Sequence, residues 1–268
     1  MKKLALTSLL LCIISILPAH EFWLHPNKFI YNPGDLINIK FLVGENYDGE
    51  NWKGNHESIN TLDLYLSDAT DDLSSYISES PGDSLRFAIY DEGTYQVAYN
   101  SKNKFISLDP AKFLEYLKED GLQNAIDYRA ANNENDSTGK EFYQRSVKTI
   151  FQVGSKMDPI HKKETSLPLD IIPLQNPYSL IQKTDSVLST FKVLFKGKPV
   201  SNQTMKVWHR LNGQTILRDL PTDSEGLVRF HTSATGRWML STVKMERLMN
   251  DTAADWQSYW GSCTWGFD

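Results

Sequence analysis

The chain has 268 residues, a formal net charge of −5, and 40% hydrophobic and 23% charged residues. This is the balance of a folded globular protein with room for one large domain or two ordinary ones. It excludes a disordered or multi-spanning chain, and the acidic excess argues against nucleic acid as a main partner.

Residues 1–19 have a basic start (Lys2, Lys3), an apolar run from Leu4 to Leu17, and Pro18-Ala19 before His20. That order is expected of a signal peptide, with a periplasmic or secreted product and no membrane span after cleavage. Cleavage after Ala19 takes the net charge to −7 and makes His20 the first residue. Cys12 leaves with the leader, so Cys263 is the single thiol of the mature chain, and no internal disulfide can form.

The next stretch is His20-Glu21-Phe22-Trp23-Leu24-His25-Pro26, whose apolar centre is expected to anchor the new terminus in a sandwich. Phe29 to Tyr31, the turn Asn32-Pro33-Gly34-Asp35, and Leu36 to Val43 read as strand, turn, strand. Gly44 to His56 reads as a loop. Further strands are expected over Thr61–Leu66, Ser84–Ile89 and Gly93–Tyr99, at the spacing of an all-β domain. Asp109-Pro110 is a helix-start signal, and residues 109–145 read as a helical insertion. Ser146–Val153 closes the first sandwich, which spans 20–155.

Residues 156–185 read as a linker and connecting strand, and 186–268 as a second sandwich. Its elements are Val187–Phe195, Gln203–Arg210, the Asn212-Gly213 hairpin, Leu227–His231 and Gly236–Val243. The fold class is therefore all-β: two β-sandwich domains of Ig-like or transthyretin-like form, the first with a helical insertion.

Two resemblances bear on this reading. Val193–Pro199, Thr222–Gly226 and Gly236-Arg237-Trp238 resemble transthyretin-like and carboxypeptidase-regulatory-like sandwiches, which implies a fold and no activity. Over nearly its whole mature length the chain also resembles the bacterial domain-of-unknown-function family 4198, formerly grouped with the NikM-type nickel-transport component. The residues that carry this are 20–26, Asn32-Pro33-Gly34-Asp35, Phe142–Lys148, Leu169–Pro173, Asn176-Pro177-Tyr178, Gly236-Arg237-Trp238 and Asp255–Trp260. The resemblance implies a secreted two-domain β protein, sometimes associated with nickel or cobalt uptake, with envelope transporter components as partners and no assigned activity.

No nucleophile elbow, phosphate-binding loop, dinucleotide fingerprint or HExxH motif is present, so no enzyme is expected. The acidic residues Asp48, Glu50, Glu57, Asp71 and Asp72 lack calcium-loop spacing and read as solvated. A mature His20 can chelate a divalent transition metal (nickel, cobalt, copper or zinc) through its amine and imidazole. His25, His209 or His231 would complete that site, the last two if their strands are neighbours. His20 and His25 are spaced wrongly for one face of either a helix or a strand. The expected function is metal handling without catalysis. The alternatives are an envelope structural or carbohydrate-binding module and a copper oxidase with an N-terminal histidine brace. Tryptophans in sandwich strands are expected to be core; exposed on one face they would mark sugar binding.

Overall fold

The computed structural model describes residues 21–52, 56–77, 84–180 and 186–267. The leader and His20 lie outside the described residues. In chain order the elements are β1 (Glu21–Pro26), β2 (Ile30–Tyr31), β3 (Leu36–Glu45), β4 (Asp48–Asn51), β5 (Ile59–Tyr65), β6 (Thr70–Asp72) and β7 (Ser84–Ala88). Then come β8 (Gly93–Ser101), β9 (Lys104–Leu108), α1 (Pro110–Glu119), α2 (Gln123–Ala131), β10 (Gly139–Val153) and β11 (Leu169–Pro173). The remainder are β12 (Val187–Phe195), β13 (Lys198–Pro199), β14 (Thr204–Leu211), β15 (Gln214–Pro221), β16 (Leu227–Thr232), β17 (Arg237–Arg247) and β18 (Trp256–Gly266).

The fold is all-β, and its two sandwiches share one sheet. That sheet runs β15-β14-β17-β18-β10-β8-β5-β6, with β2 and β9 also paired to β10. A sheet of β1, β3, β4 and β7 packs on its first face. Phe22, Leu24, Ile39 and Phe41 meet Leu62, Tyr99 and Phe151 in that core. A sheet of β11, β12, β13 and β16 packs on the second face. There Leu169, Ile171, Phe191 and Val193 meet Met205, Val207, Leu240 and Trp265. The link across the molecule is the parallel pairing of β10 with β18, from Glu141↔Trp256 to Thr149↔Thr264. Side chains alternate along a strand, so β10 can serve both cores: Val147 and Phe151 point one way, Ile150 the other.

Several expectations shift. The stretch read as a loop from Gly44 contains β4, and a two-residue turn joins it to β3: Glu45 faces Asp48 while Asn46 and Tyr47 both have φ of 53°. The helical insertion ends at Ala131, and Glu141–Lys148 is strand because β10 runs unbroken from Gly139. β11, from the expected linker, is a full member of the second sandwich. The Asn212-Gly213 turn is as read, with φ of 51° and 78° and an eight-pair ladder between β14 and β15. Six tryptophans are buried and Trp52 is partly so, which removes tryptophan as a sugar-binding face. No helix among the described residues is long and apolar enough to cross a membrane.

Helix α1 has Pro110 at its start and a glycine stop. Gly121 takes φ +64°, its N–H donates to Lys118 O, and Leu122 N–H reaches back to Leu117 O at 2.8 Å. This Schellman closure fixes Asp120 at the helix end, and a side chain at 121 would strike Thr204 Oγ1 on β14. The insertion thereby holds a carboxylate against the second sandwich.

Candidate functional site

Strand β1 has two working faces. Phe22 and Leu24 enter the first core. Glu21, Trp23 and His25 point the other way, onto β14 and β17. Because β14 and β17 pair Lys206↔Ser241, Trp208↔Met239 and Arg210↔Arg237, the contact forms three successive rows. The main chain of β1 is fixed as well: Ser262 Oγ and Thr264 Oγ1 donate to the carbonyls of Phe22 and Leu24, each at 2.8 Å.

The first row is buried and charged. Lys206 Nζ lies 2.6 Å from Asp120 Oδ1 and 3.7 Å from Glu21 Oε1. Burial pushes Glu21 up to about 7 against the pull of Lys206, and pushes Asp120 up to about 6. Burial opposes the charge of Lys206 too, but Asp120 and Glu21 hold it above its usual range. Arg145 stacks over the Phe22 ring at 4.3 Å. Nearby, Glu141 accepts from Tyr116 Oη at 3.1 Å and from Ser258 Oγ, and Trp260 Nε1 donates to Ser258 Oγ at 3.0 Å. Burial raises Glu141 to about 7.

The second row is apolar: Trp23, Tyr47, Trp208 and Met239 are all buried. Tyr47 meets Trp23 edge-on at 5.4 Å and donates its hydroxyl to Trp238 O at 3.2 Å. Trp208 Nε1 donates to Ser241 Oγ at 2.9 Å. Gly49 on β4 is required here, since a Cβ would come within 2.6 Å of the Trp23 ring.

The third row opens into a cleft of about 250 Å³ walled by His25, Tyr47, Asp48, Arg210 and Arg237. Arg237 Nη1 lies 2.9 Å from His25 Nε2. Arginine can only donate, so Nε2 accepts, and the imidazole is neutral with its proton on Nδ1. Arg210 donates to Asp48 Oδ2 and to Thr215 Oγ1, each at 3.1 Å. Among its described lining residues the cleft thus carries two guanidinium groups and one carboxylate. It suits an anion, and the donor on Nε2 together with the two cations disfavours a metal at His25.

Of the histidines singled out from the sequence, His25, His209 and His231 are among the described residues and His20 is not. His209 is on β14 but on the face opposite Arg210. It stacks on Trp238 at 3.8 Å and donates from Nε2 to Thr235 O at 3.0 Å; burial lowers its pKa. His231 is exposed on β16, opposite Leu188 of β12, in a different sheet. His209 and His231 are therefore not on neighbouring strands. No group of three or more His, Cys, Asp or Glu among the described residues is placed to hold a metal. Sequence reasoning missed Arg210 and Arg237. The only signal for Arg237 is the Gly236-Arg237-Trp238 segment, and Arg210 carries none of its own.

Comparison with known proteins gives one family and a set of distant solved structures, two of which follow. The D0-D1 domain of intimin is 14% identical, with 90% of this chain and 96% of that one covered and a TM-score of 0.19. Escherichia coli alpha-2-macroglobulin activated by porcine elastase is 11% identical, with 92% and 20% covered and a TM-score of 0.22. No curated protein matches the sequence. The profile of the family described as a domain of unknown function (DUF4198) matches residues 17–246, and this chain belongs to that family.

Proposed function

We propose that this protein is a non-enzymatic binding module of the cell envelope, and that its ligand presents an anionic group to the cleft at the junction of the two sandwiches. The observation that carries this is the direct opposition of Arg210 and Arg237 across β14 and β17, with His25 neutral beside them. Two planar guanidinium forks in one cleft match the geometry of a carboxylate or phosphate, and an incoming anion would compete with the exposed Asp48 for Arg210. The test is calorimetric titration with citrate and with inorganic phosphate, using the wild type and Arg210→Met/Arg237→Met. Binding should weaken at least tenfold or so in the double variant and fall with added salt. Equal binding in the two proteins, or none at roughly millimolar probe, would overturn the reading.

A transition-metal cargo, of nickel or cobalt type and passed to an envelope uptake system, is the second reading. It is favoured by the acidic groups around the start of β1: among the described residues Glu21 and Asp120 share Lys206, Arg145 lies near Glu21, and Glu141 is bonded by neutral donors. A cation held by the amine and imidazole of His20 would relieve that excess. Metal titration of protein that starts at His20, against protein with one extra residue before it, decides the matter. The extension should abolish tight binding, and equal affinities would remove His20 as the ligand.

A further inference from the structure

Among the described residues the first sandwich is open along one edge. β6 ends the shared sheet, and β7 lies on the outer side of β3, touched there among the described residues only by an Ile77–Leu85 bridge. Between these two edges runs a groove of about 630 Å³. Its floor is apolar, with Leu73 and Phe87 buried. Its rim carries Tyr76 and Tyr90, which are 51% and 78% exposed.

These rings are held in place. A Cβ on Gly34 would lie 3.2 Å from Tyr90 Cε1, so the Tyr90 ring packs on the glycine of the Asn32-Pro33-Gly34-Asp35 turn. The Gly34 N–H donates to Ile89 O at 2.7 Å, next to Tyr90 in the chain. The turn is fastened in its own right, since Asp35 Oδ2 accepts from Lys28 Nζ at 2.6 Å and from Asn32 N–H at 2.9 Å. Tyr76 meets Phe87 edge-on at 6.4 Å. A motif that reads as a plain turn thus braces an exposed aromatic ring.

The groove is also electronegative. Asp71, Asp72 and Asp91 line it, and none of its described lining residues is Lys, Arg or His. Lys163, near the groove wall, donates to the carbonyls of Leu66 and Ala69. Carboxylates beside tyrosine faces attract a cation through both charge and ring quadrupole, and they repel carboxylate or phosphate ligands. Exposed sheet edges add main-chain donors and acceptors that an extended chain can use. A neutral sugar could use the rings and donate hydroxyls to the carboxylates, but it would leave their three like charges uncompensated.

We propose that this groove binds an extended polypeptide segment carrying lysine or arginine beside an apolar residue. The cation lies among Tyr76, Tyr90 and the three aspartates, and the apolar side chain covers Leu73 and Phe87. The test is fluorescence anisotropy of a labelled peptide that alternates lysine with valine, alongside its glutamate–valine counterpart and a soluble cello-oligosaccharide. The lysine peptide should bind and should weaken with salt. Tyr90→Ala and the pair Asp71→Asn/Asp91→Asn should each weaken it roughly tenfold while the thermal midpoint holds, because all three positions are exposed. The glutamate peptide and the sugar should not bind. Lysine-peptide binding that neither variant changes, no binding of that peptide at roughly millimolar concentration, or binding of the sugar in its place would each overturn the proposal.

Discussion

Lys148→Met is expected to destabilise the protein by about 3–5 kcal/mol, measured by urea denaturation at neutral pH. Lys148 is fully buried, and its Nζ lies 2.6 Å from Asp170 Oδ1. The second oxygen of Asp170 accepts from Thr165 N–H at 2.7 Å, so both oxygens of that carboxylate are bonded. The pair ties β10, the strand common to both cores, to β11 of the second sandwich. With methionine at 148 the Asp170 carboxylate stays buried with one neutral donor left, and that uncompensated charge is the main cost. Removing both charges is different: Lys148→Met with Asp170→Leu should recover most of the loss, because each ion in the wild type already bears a desolvation penalty. The double-mutant cycle measures the difference. A single variant within about 1 kcal/mol of wild type would mean that water reaches the pair and that β11 is not anchored through it.

How much of this was legible depended on whether a residue's role was local. Val187–Phe195, the Asn212-Gly213 turn and the Pro33-Gly34 turn announce themselves through alternation or backbone preference, which sequence shows directly. β18 does not. It is a central strand of the shared sheet and is buried on both faces, so Trp256 to Gly266 mixes Trp, Ser, Gly, Cys and Thr with no alternation to read. The β3–β4 turn was hidden because Asn46-Tyr47 takes the left-handed conformation without a glycine. At the site, the anchoring of Phe22, Trp23 and Leu24 was readable from their apolar run. The division of labour, with Trp23 bridging to the second sandwich, was not. His25 meets Arg237, 212 residues away, and that contact depends on the parallel β10–β18 pairing, which no local pattern encodes. His209 and His231 fail for the same reason: nearness in sequence order does not assign two strands to one sheet.

Glu141→Gln should leave stability within about 1 kcal/mol of wild type near pH 5 and raise it by about 3 kcal/mol near pH 8. Burial raises the Glu141 carboxyl from an ordinary 4.5 to about 7, so the native state holds a proton that the unfolded chain has already released. Below about pH 4.5 both states are protonated, and the group costs nothing. As pH rises from there to 7 the unfolded state gains by ionising, and stability falls by up to about 1.4 kcal/mol per pH unit. Above 7 the native carboxyl ionises too, and the loss is complete. Glutamine stays neutral throughout. Its carbonyl can still accept from Tyr116 and Ser258, so the hydrogen bonds survive while the titration disappears. Glu21, raised to about 7 by the same cause, remains in the variant and should leave it with a reduced but real decline over the same window. Denaturant midpoints for both proteins across this range give the slopes directly. Parallel curves would show that Glu141 is ionised in the native state already at about pH 5, and that a cation at the buried end of β1 keeps it so.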